Sequence, residues 1–231
     1  NINRDRMNHN ILYSFRRCPY AIRARWALLN TNEKVFLREV DLKNKPSSLI
    51  NISKKATVPV LKTSTGEVID ESLEIMTWTI KKSNRLELLG NKNKEHLEKI
   101  LSLIKTNDLV FKYHLDRFKY AYRFKECELE SHREAGMEIL ISLNSRLEFF
   151  ARKGNPMFLV NSKESLADWA IWPFVRQFRM ADKLNFDENI KIKYIRKWLN
   201  YFLSSKKYEI VMEKFPIWSP EQEEIIFGTK I

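Results

Sequence analysis

A cysteine followed by a proline, where an apolar run meets a helical pattern, constrains the fold of this chain most strongly. The stretch 13–25 reads YSFRRCPYAIRAR, with Cys18 and Pro19 near its centre. Proline is favoured at the first position of a helix, because its fixed φ suits the helix and its N–H would have had no partner. Cys18 would then stand beside the unpaired N–H groups and the positive dipole end of a helix. We therefore predict a strand, a short turn and a helix that presents the thiol.

These surroundings favour a thiolate over a thiol, and so do nearby cations. Four arginines flank the cysteine, namely Arg16, Arg17, Arg23 and Arg25. We expect them to lower the pKa of the Cys18 thiol below its ordinary value of about 8.5 and to make it reactive. Burial acts in the opposite direction, and a free cysteine is often only a small buried apolar residue. Both interpretations remain open from the residues alone.

The net charge of +12 lies mostly in the first part of the chain. Residues 1–85 carry 16 Lys and Arg against 8 Asp and Glu, and the remainder carries 25 against 21. A nucleic-acid surface would need an aromatic-basic motif or a recognition helix, and we find neither. We therefore expect no nucleic-acid or membrane partner. The charge then reflects attraction for small anionic ligands or a lysine-rich composition.

The cysteine count and the apolar runs bear on location and on metal binding. No run approaches the ~18 apolar residues of a membrane span, and the first ten residues lack the apolar core of a secretory signal. Two cysteines make no disulfide framework, so we predict a reducing, cytoplasmic location. The four histidines show no metal-ligand spacing with cysteine or carboxylate. We predict no metal site.

The first 84 residues alternate strand and helix signals. Apolar or alternating runs predict three strands, at residues 9–15, 34–40 and 57–62. A Thr65-Gly66 turn adds a hairpin strand, and a helix follows it to about Lys82. Pro59 interrupts the third strand, which argues for an edge, a bulge or a functional bend. The order β-α-β-α-β-β-α predicts a compact α/β unit.

Strand signals vanish after a polar linker at 84–94. A long apolar stripe at helical spacing extends from Leu97 to Tyr122. Further helices are predicted at about 130–152 and 188–204. The second part of the chain therefore reads as all-α.

One predicted helix of this part has a capping box at its start. Ser165 fits the N-cap and Asp168 the reciprocal acceptor three residues later, so we give both a structural role. Pro173 inside the same helix predicts a kink or a short first piece.

Five strings, in this order, resemble the glutathione transferase superfamily: CPYAIRAR, LKNKP, VPVL, DES and SLADWAIWPF. The resemblance spans essentially the whole chain and is closest to the cysteine-type members, the omega-like and glutaredoxin-2-like groups. It implies an α/β thioredoxin-like, glutathione-binding domain at 1–84 and an all-α helical-bundle domain at 85–231. It also implies a homodimer.

The resemblance assigns roles by position, beginning with Cys18 as the catalytic cysteine. Glutathione is the implied co-substrate, with no metal. Its implied site contains an aromatic beside the cysteine, a lysine for the glycine end, a valine whose backbone pairs with the cysteinyl part, a cis-proline, and two residues for the γ-glutamyl end. In that order these are Tyr20, Lys45, Val58, Pro59, Glu71 and Ser72. The chemistry agrees, because glutathione offers two carboxylates to a lysine and a helix-start hydroxyl, and one ammonium to a glutamate.

The chain departs from the dithiol pattern at Ala21, where a dithiol glutaredoxin has its second cysteine. Without a resolving thiol there, the natural intermediate is a mixed disulfide between Cys18 and glutathione. Cys127, which is predicted on or just after a helix of the other domain, is interpreted as incidental.

The predicted function is that of a glutathione-dependent thiol transferase or reductase, by deglutathionylation or dehydroascorbate-type reduction. A first alternative is a transferase that conjugates glutathione to a small electrophile, for which Tyr13 and Ser14 offer hydroxyls. A second is a non-catalytic, transferase-like interaction protein. An acceptor pocket is predicted from Phe111, Tyr113, Arg117 and Tyr120, although an aromatic stripe is also typical of a helix core.

Overall fold

The computed structural model describes residues 9–90, 92–124 and 128–228. The chain divides into two compact units. One contains Asn1–Arg85 together with Lys206–Ile231, and the other contains Leu86–Ser205. The sequence predicted domains at 1–84 and 85–231, with the first boundary one residue earlier. The last segment of the chain instead belongs to the first unit.

The first unit is built on a five-stranded mixed sheet in the order β4-β3-β1-β2-β5. The strands are β1 Asn10–Ser14, β2 Val35–Glu39, β3 Val60–Lys62, β4 Val68–Ile69 and β5 Ile225–Phe227. Strands β1 and β2 are parallel, and every other neighbouring pair is antiparallel. Helix α1, Pro19–Asn30, joins β1 to β2, helix α2, Ser47–Ile50, joins β2 to β3, and helix α3, Ser72–Lys82, follows β4. The predicted β-α-β-α-β-β-α order is confirmed.

Local sequence explains how α1 and β3 begin. Pro19 occupies the first turn of α1, as predicted. The Val58-Pro59 peptide bond is cis, and β3 starts immediately afterwards at Val60. Because β3 lies between β4 and β1, Pro59 forms a bend before an interior strand and does not mark an edge.

The second unit is all-α, as predicted. Its helices are α4 Lys94–Thr106, α5 Lys112–Lys119, α6 Leu129–Arg152, α7 Leu166–Ala181, α8 Lys183–Glu188 and α9 Lys193–Leu203. A π-helical segment, Asn107–Phe111, joins α4 to α5, so the long apolar stripe forms one helical stretch. The predicted linker contains a 3₁₀ turn at Leu86–Leu89, and the helix predicted from residue 188 begins at Lys193. Across the described ranges, no helix is long and apolar enough to cross a membrane.

The capping box at the start of α7 is confirmed, and its carboxylate is fully buried. Asp168 Oδ2 accepts hydrogen bonds from the backbone N–H and the hydroxyl of Ser165, both at 2.9 Å. Asp168 Oδ1 accepts from the Leu159 N–H and the Trp198 Nε1–H, also at 2.9 Å. Burial raises the pKa of Asp168 to about 6, and the four hydrogen bonds oppose that rise. The predicted short first piece is wrong, because α7 continues through Pro173 as one helix.

A second buried polar residue organises the end of this unit. Asn144 of α6 accepts hydrogen bonds through Oδ1 from the Tyr194 and Ile195 N–H groups, at 2.7 and 3.1 Å. These donors belong to the first turn of α9, which has no side-chain cap of its own. An amide on one helix therefore caps another.

The segment after the second unit completes the first one. Helix α10, Lys206–Val211, packs on α1, and β5 pairs with β2 in antiparallel register. Arg38 of β2 forms a largely buried ion pair with Glu224 at 2.5 Å, and its guanidinium lies 4.0 Å from the Trp218 ring centroid. Neither element was predicted from the sequence.

Candidate functional site

Cys18 lies at the N-cap of α1, in extended backbone conformation. Its N–H donates to the Phe15 carbonyl at 3.1 Å, which closes the turn that follows β1. The thiol is half-buried, and its Sγ lies 3.8 Å from the carbonyl oxygen of Val58, next to the cis-proline. The predicted strand, turn and helix therefore present the sulfur beside the backbone that precedes β3.

The buried side chain of Arg25 forms hydrogen bonds with the turn that leads into Cys18. It is 1% exposed. Its Nη1 donates to Ser14 Oγ at 2.5 Å, and its Nη2 to the Arg16 carbonyl at 2.7 Å. Its Nε donates to the Val211 carbonyl at 2.9 Å. The sequence presented this arginine as a charge near the thiol, and the structure adds that it ties the turn to α10.

A buried carboxylate holds the same turn from the sheet. Glu39, at the end of β2, accepts a hydrogen bond from the Arg16 N–H at 2.7 Å. Burial raises the pKa of Glu39, while that hydrogen bond and the charges of Arg25 and Arg16 act in the opposite direction. The burial of Glu39 was not predicted from the sequence, because a glutamate at a strand end is normally exposed.

Ser72 is the first residue of α3, and Glu71 is its N-cap. Ser72 is buried, and its Oγ accepts a hydrogen bond from Arg23 Nε at 2.9 Å. The Arg23 guanidinium also lies 5.0 Å from the centroid of the Tyr20 ring. Arg23 therefore contacts two residues of the predicted glutathione site, Ser72 and Tyr20. Cys18 and the cis-proline Pro59 belong to the same predicted site.

Residues 12–85 match the glutathione S-transferase N-terminal domain. The matched residues begin within β1 and extend through α3, to the end of the first segment of the first unit. The fold is accordingly a thioredoxin-like domain, similar to that of glutathione S-transferases, followed by a helical domain. No curated protein sequence matches the chain.

Solved structures share this fold across nearly the whole chain. Yeast Ure2p with S-hexylglutathione has a TM-score of 0.77 at 15% identity, and the match covers 90% of this chain and 99% of the Ure2p chain in that structure. A Tau class glutathione S-transferase from mango, Mangifera indica, has a TM-score of 0.74 at 20% identity, covering 89% and 93%. A glutathione transferase from Pseudomonas putida with bound glutathione disulfide has a TM-score of 0.73 at 18% identity, covering 89% and 91%.

Within the matched residues 12–85, Glu71 is exposed and forms an ion pair with Lys55 Nζ. The hydrogen bond to Glu71 raises the pKa of Lys55. The next residue, Ala56, has a φ of +46°, a left-handed conformation that is rare for alanine. The sequence carries no signal for the ion pair between Lys55 and Glu71, since the two residues lie in separate loops.

Val58 and Lys45 complete the predicted glutathione set. Val58 packs at the margin of a small apolar cluster, and the buried members of that cluster are Tyr13, Val40, Leu49 and Val60. Lys45 is partly exposed and lies just before Pro46, the N-cap of α2. Lys45 takes part in none of the hydrogen bonds described above. The binding roles of both residues stay predictions.

The four residues predicted to line an acceptor pocket lie in different surroundings. Phe111 is buried, with its ring centroid 5.5 Å from that of Phe178, so it belongs to the helical core. Tyr113 is exposed, and the Arg117 guanidinium stacks 3.6 Å from its ring centroid. Tyr120 is partly exposed. Their acceptor role stays a prediction.

Two histidines of the second unit meet at close range. The Nδ1 atoms of His114 and His132 are 2.8 Å apart, and burial, with the charges of His132 and Arg117, lowers the pKa of His114. Among the described residues, no group of three or more His, Cys, Asp or Glu is placed to hold a metal ion. Cys127 lies outside the described residues.

Proposed function

We propose that this protein is a glutathione-dependent thiol transferase or reductase that acts through a mixed disulfide between Cys18 and glutathione. The observation that carries the proposal is the half-buried Cys18 thiol at the start of α1, with Sγ 3.8 Å from the Val58 carbonyl. The match of residues 12–85 to the glutathione S-transferase N-terminal domain supports it. So does the presence of a cysteine, which favours disulfide exchange over stabilisation of a bound thiolate.

The proposed reaction is two successive thiol–disulfide exchanges. The Cys18 thiolate attacks the glutathione sulfur of a mixed disulfide, the substrate S–S bond breaks, and the substrate leaves as a thiolate that takes a proton. A free glutathione thiolate then attacks the sulfur of the glutathione bound to Cys18. Cys18 is released as thiolate, and glutathione disulfide forms. One disulfide is thereby exchanged for another: the substrate sulfur leaves with the electron pair of its S–S bond, the incoming glutathione thiolate supplies the pair for the new bond, and the glutathione sulfur that came from the substrate stays at the disulfide level.

Glutathione would bind in an extended conformation across the end of α1 and the start of α3. Its cysteinyl backbone pairs with Val58 beside Pro59, as an added strand. Ser72 and the N–H groups of α3 hold the γ-glutamyl carboxylate, Lys45 holds the glycine carboxylate, and Tyr20 lies beside the sulfur. Glu71 holds the ammonium, which must displace Lys55 from its ion pair. Structures of this fold are described with glutathione and with glutathione disulfide.

Replacement of the sulfur tests the reaction. Cys18→Ser should abolish reduction of a glutathione mixed disulfide, because a serine hydroxyl is a poor nucleophile without a base beside it. Glutathione binding should persist, since the charged ends rest elsewhere. Intact mass spectrometry after exposure to oxidised glutathione should find one glutathione on Cys18 and none on Cys127. A Cys18→Ser variant that reduces mixed disulfides at the wild-type rate would refute the proposal.

The second candidate is conjugation of glutathione to a small electrophile. The two hydroxyls considered for it are buried, with Tyr13 accepting from Arg38 Nη1 at 2.8 Å and Ser14 accepting from Arg25. Both are engaged inside the first unit, so they do not favour this chemistry. Conjugation would then depend on position 18, and gain of conjugating activity in Cys18→Ser would support it.

The third candidate is a non-catalytic protein that keeps the fold. It is favoured by the similarity to Ure2p, a structure of which is described as a nitrogen regulation fragment. Absence of glutathione binding at millimolar ligand would favour this candidate over both enzymes. We also propose that the protein is cytoplasmic and forms a homodimer. Sedimentation of the full chain would test the homodimer.

A further inference from the structure

Arg23 lies one turn into α1 and is 2% exposed. Its Nε donates to Ser72 Oγ at 2.9 Å, and Ser72 is 4% exposed. The same guanidinium lies 5.0 Å from the Tyr20 ring centroid. A buried cation thus connects the helix that begins at the thiol with the helix that begins at Ser72.

The hydrogen bond from Arg23 fixes what the Ser72 hydroxyl can do. A serine hydroxyl has one proton to donate and lone pairs that accept. Once a lone pair accepts the Arg23 Nε–H, the hydroxyl proton is left for another acceptor. Ser72 also begins α3, where backbone N–H groups lack helical partners. The group that best uses a hydroxyl proton and free N–H groups together is a carboxylate.

The charge of Arg23 strengthens the same preference. A guanidinium stays protonated in proteins, and in a buried position its field is screened less than at the surface. Since it lies one hydrogen bond behind the hydroxyl, it polarises the Ser72 O–H towards an anion. Electrostatics and hydrogen-bond direction therefore select the same ligand group.

We propose that Arg23 is a positioning residue for carboxylate recognition, which acts through Ser72 and makes the site select ligands with an α-carboxylate at the γ-glutamyl end. This inference rests on the proposed function, because it concerns how the same site holds glutathione. The proposed action of Arg23 is on Ser72 and not on the Cys18 sulfur. Its effect is on which ligand binds.

The test compares two ligands that differ in that carboxylate alone. Binding to the full chain is measured by calorimetry for glutathione and for 4-aminobutyryl-cysteinyl-glycine, which keeps the ammonium and lacks the α-carboxylate. Wild type should bind glutathione about tenfold or more tightly than the analogue, as expected for a hydrogen bond to a charged group. Arg23→Gln should lower the affinity for glutathione about tenfold and the affinity for the analogue less than about twofold. Arg23→Lys, which keeps the charge without the Nε donor, should give an intermediate ratio.

Arg25→Gln is the matched control, since Arg25 is buried in the same helix and donates to other groups. Any loss of affinity caused by general loosening of α1 should be equal for the two ligands, so the ratio of the two affinities should not change in this variant. An unchanged ratio in Arg23→Gln, or an equal change in the Arg25→Gln control, would overturn the inference.

Two further outcomes are separated by the same measurements. If Arg23→Gln does not fold, Arg23→Lys decides, and a wild-type ratio in that variant overturns the role of the Nε–H. If wild type binds neither ligand at millimolar concentration, the proposed function itself fails. If wild type binds glutathione and Arg23→Gln leaves the ratio of the two affinities unchanged, the proposed function stands and only this inference is lost.

Discussion

The two units differ in the charges that they bury and in how far along the chain the partners of those charges lie. The first unit buries charges of both signs, with Glu39 beside three arginines, whereas the described part of the second unit buries one carboxylate. The first unit buries three arginines, Arg23, Arg25 and Arg38, whose partners include Ser72, Val211 and Glu224, at separations of 49, 186 and 186 residues. Within the described part of the second unit, Asp168 is the buried charged side chain. Its partners Ser165, Leu159 and Trp198 lie 3, 9 and 30 residues away, all within the same unit.

The difference separates two uses of a buried charge. Asp168 fixes the start of one helix, so its role is local and belongs to folding. The arginines join distant segments around Cys18 and Ser72, so their role is to hold the candidate site together. Removal of either kind leaves buried hydrogen-bonding groups without partners, which is costly. The predictions below measure how different the two uses are.

The largest effect is expected at the carboxylate of the second unit. Asp168→Ala leaves four donors in the interior without an acceptor and should lower the free energy of unfolding by about 3–5 kcal/mol. Urea denaturation of the full chain measures it. Asp116→Ala, which removes a partly exposed ion pair with Lys112, is the control and should cost about 1 kcal/mol or less. Equal losses in the two variants would contradict a special role for the buried carboxylate.

The same carboxylate should give stability a distinct pH dependence. The pKa of Asp168 is raised to about 6 in the folded protein, above the value of about 3.9 in an unfolded chain. The folded state therefore binds the proton more tightly, and the contribution of Asp168 is greatest below pH 4 and declines as pH rises through 6. The stability gap between wild type and Asp168→Ala should narrow over that range, by at most about 3 kcal/mol. A gap that widens from pH 4 to pH 7 would mean that the four hydrogen bonds outweigh burial.

A smaller loss is expected at Arg25 in the first unit. Arg25→Gln should lower the free energy of unfolding by about 1–3 kcal/mol, because buried carbonyls and the Ser14 hydroxyl lose a donor. The exposed neighbour Arg17 provides the control, and Arg17→Gln should change stability by about 0.5 kcal/mol or less. If Arg25→Gln is as mild as the control, the long-range bonds of the first unit contribute little to its stability.

The smallest effect concerns a loop of the first unit that holds no buried charge. Ala56 has a φ of +46°, where an L-residue with a Cβ is strained and glycine is not. Ala56→Gly should therefore raise the free energy of unfolding by about 0.5 kcal/mol, after the entropy cost of glycine. Ala27→Gly, inside α1, should instead cost about 1 kcal/mol or more. Thermal denaturation of the two variants should shift in opposite directions, and a destabilised Ala56→Gly would show that the loop is unstrained.

The range of these contacts also explains what the sequence predicted. The strands and helices of residues 9–85 and the capping box at Ser165 depend on neighbours in the chain, so apolar spacing, Pro19 and turn residues were sufficient. The three-residue strand β5 has almost no local signal, and its partner β2 lies far away in the sequence. The π-helical segment 107–111 was missed because its apolar residues keep a nearly helical spacing.

The candidate site was predicted in part, and for different reasons. Cys18 was found from its place before Pro19, whereas the glutathione contacts came from family resemblance and remain proposals. From the sequence, Arg23 and Arg25 were predicted only as cations near the thiol. Their burial was not expected, because charged residues are normally exposed to solvent. Their burial, and the bonds to Ser72 and Val211, depend on tertiary contacts that no local pattern encodes. The pair of Lys55 with Glu71 was likewise missed.

The position of β5 has a consequence for how the chain is made. Residues 225–227 leave the ribosome after the whole helical unit, yet they cover the outer edge of β2. Until then the nascent first unit exposes an unpaired strand edge, which is prone to associate with other chains. Gly228, directly after β5, packs against the backbone just before β2, where there is no room for a side chain: a Cβ there would lie 2.2 Å from the Glu33 carbonyl oxygen. The sheet of the nascent chain therefore stays incomplete until these residues have left the ribosome, and nascent-chain chaperones have that interval in which to protect its edge.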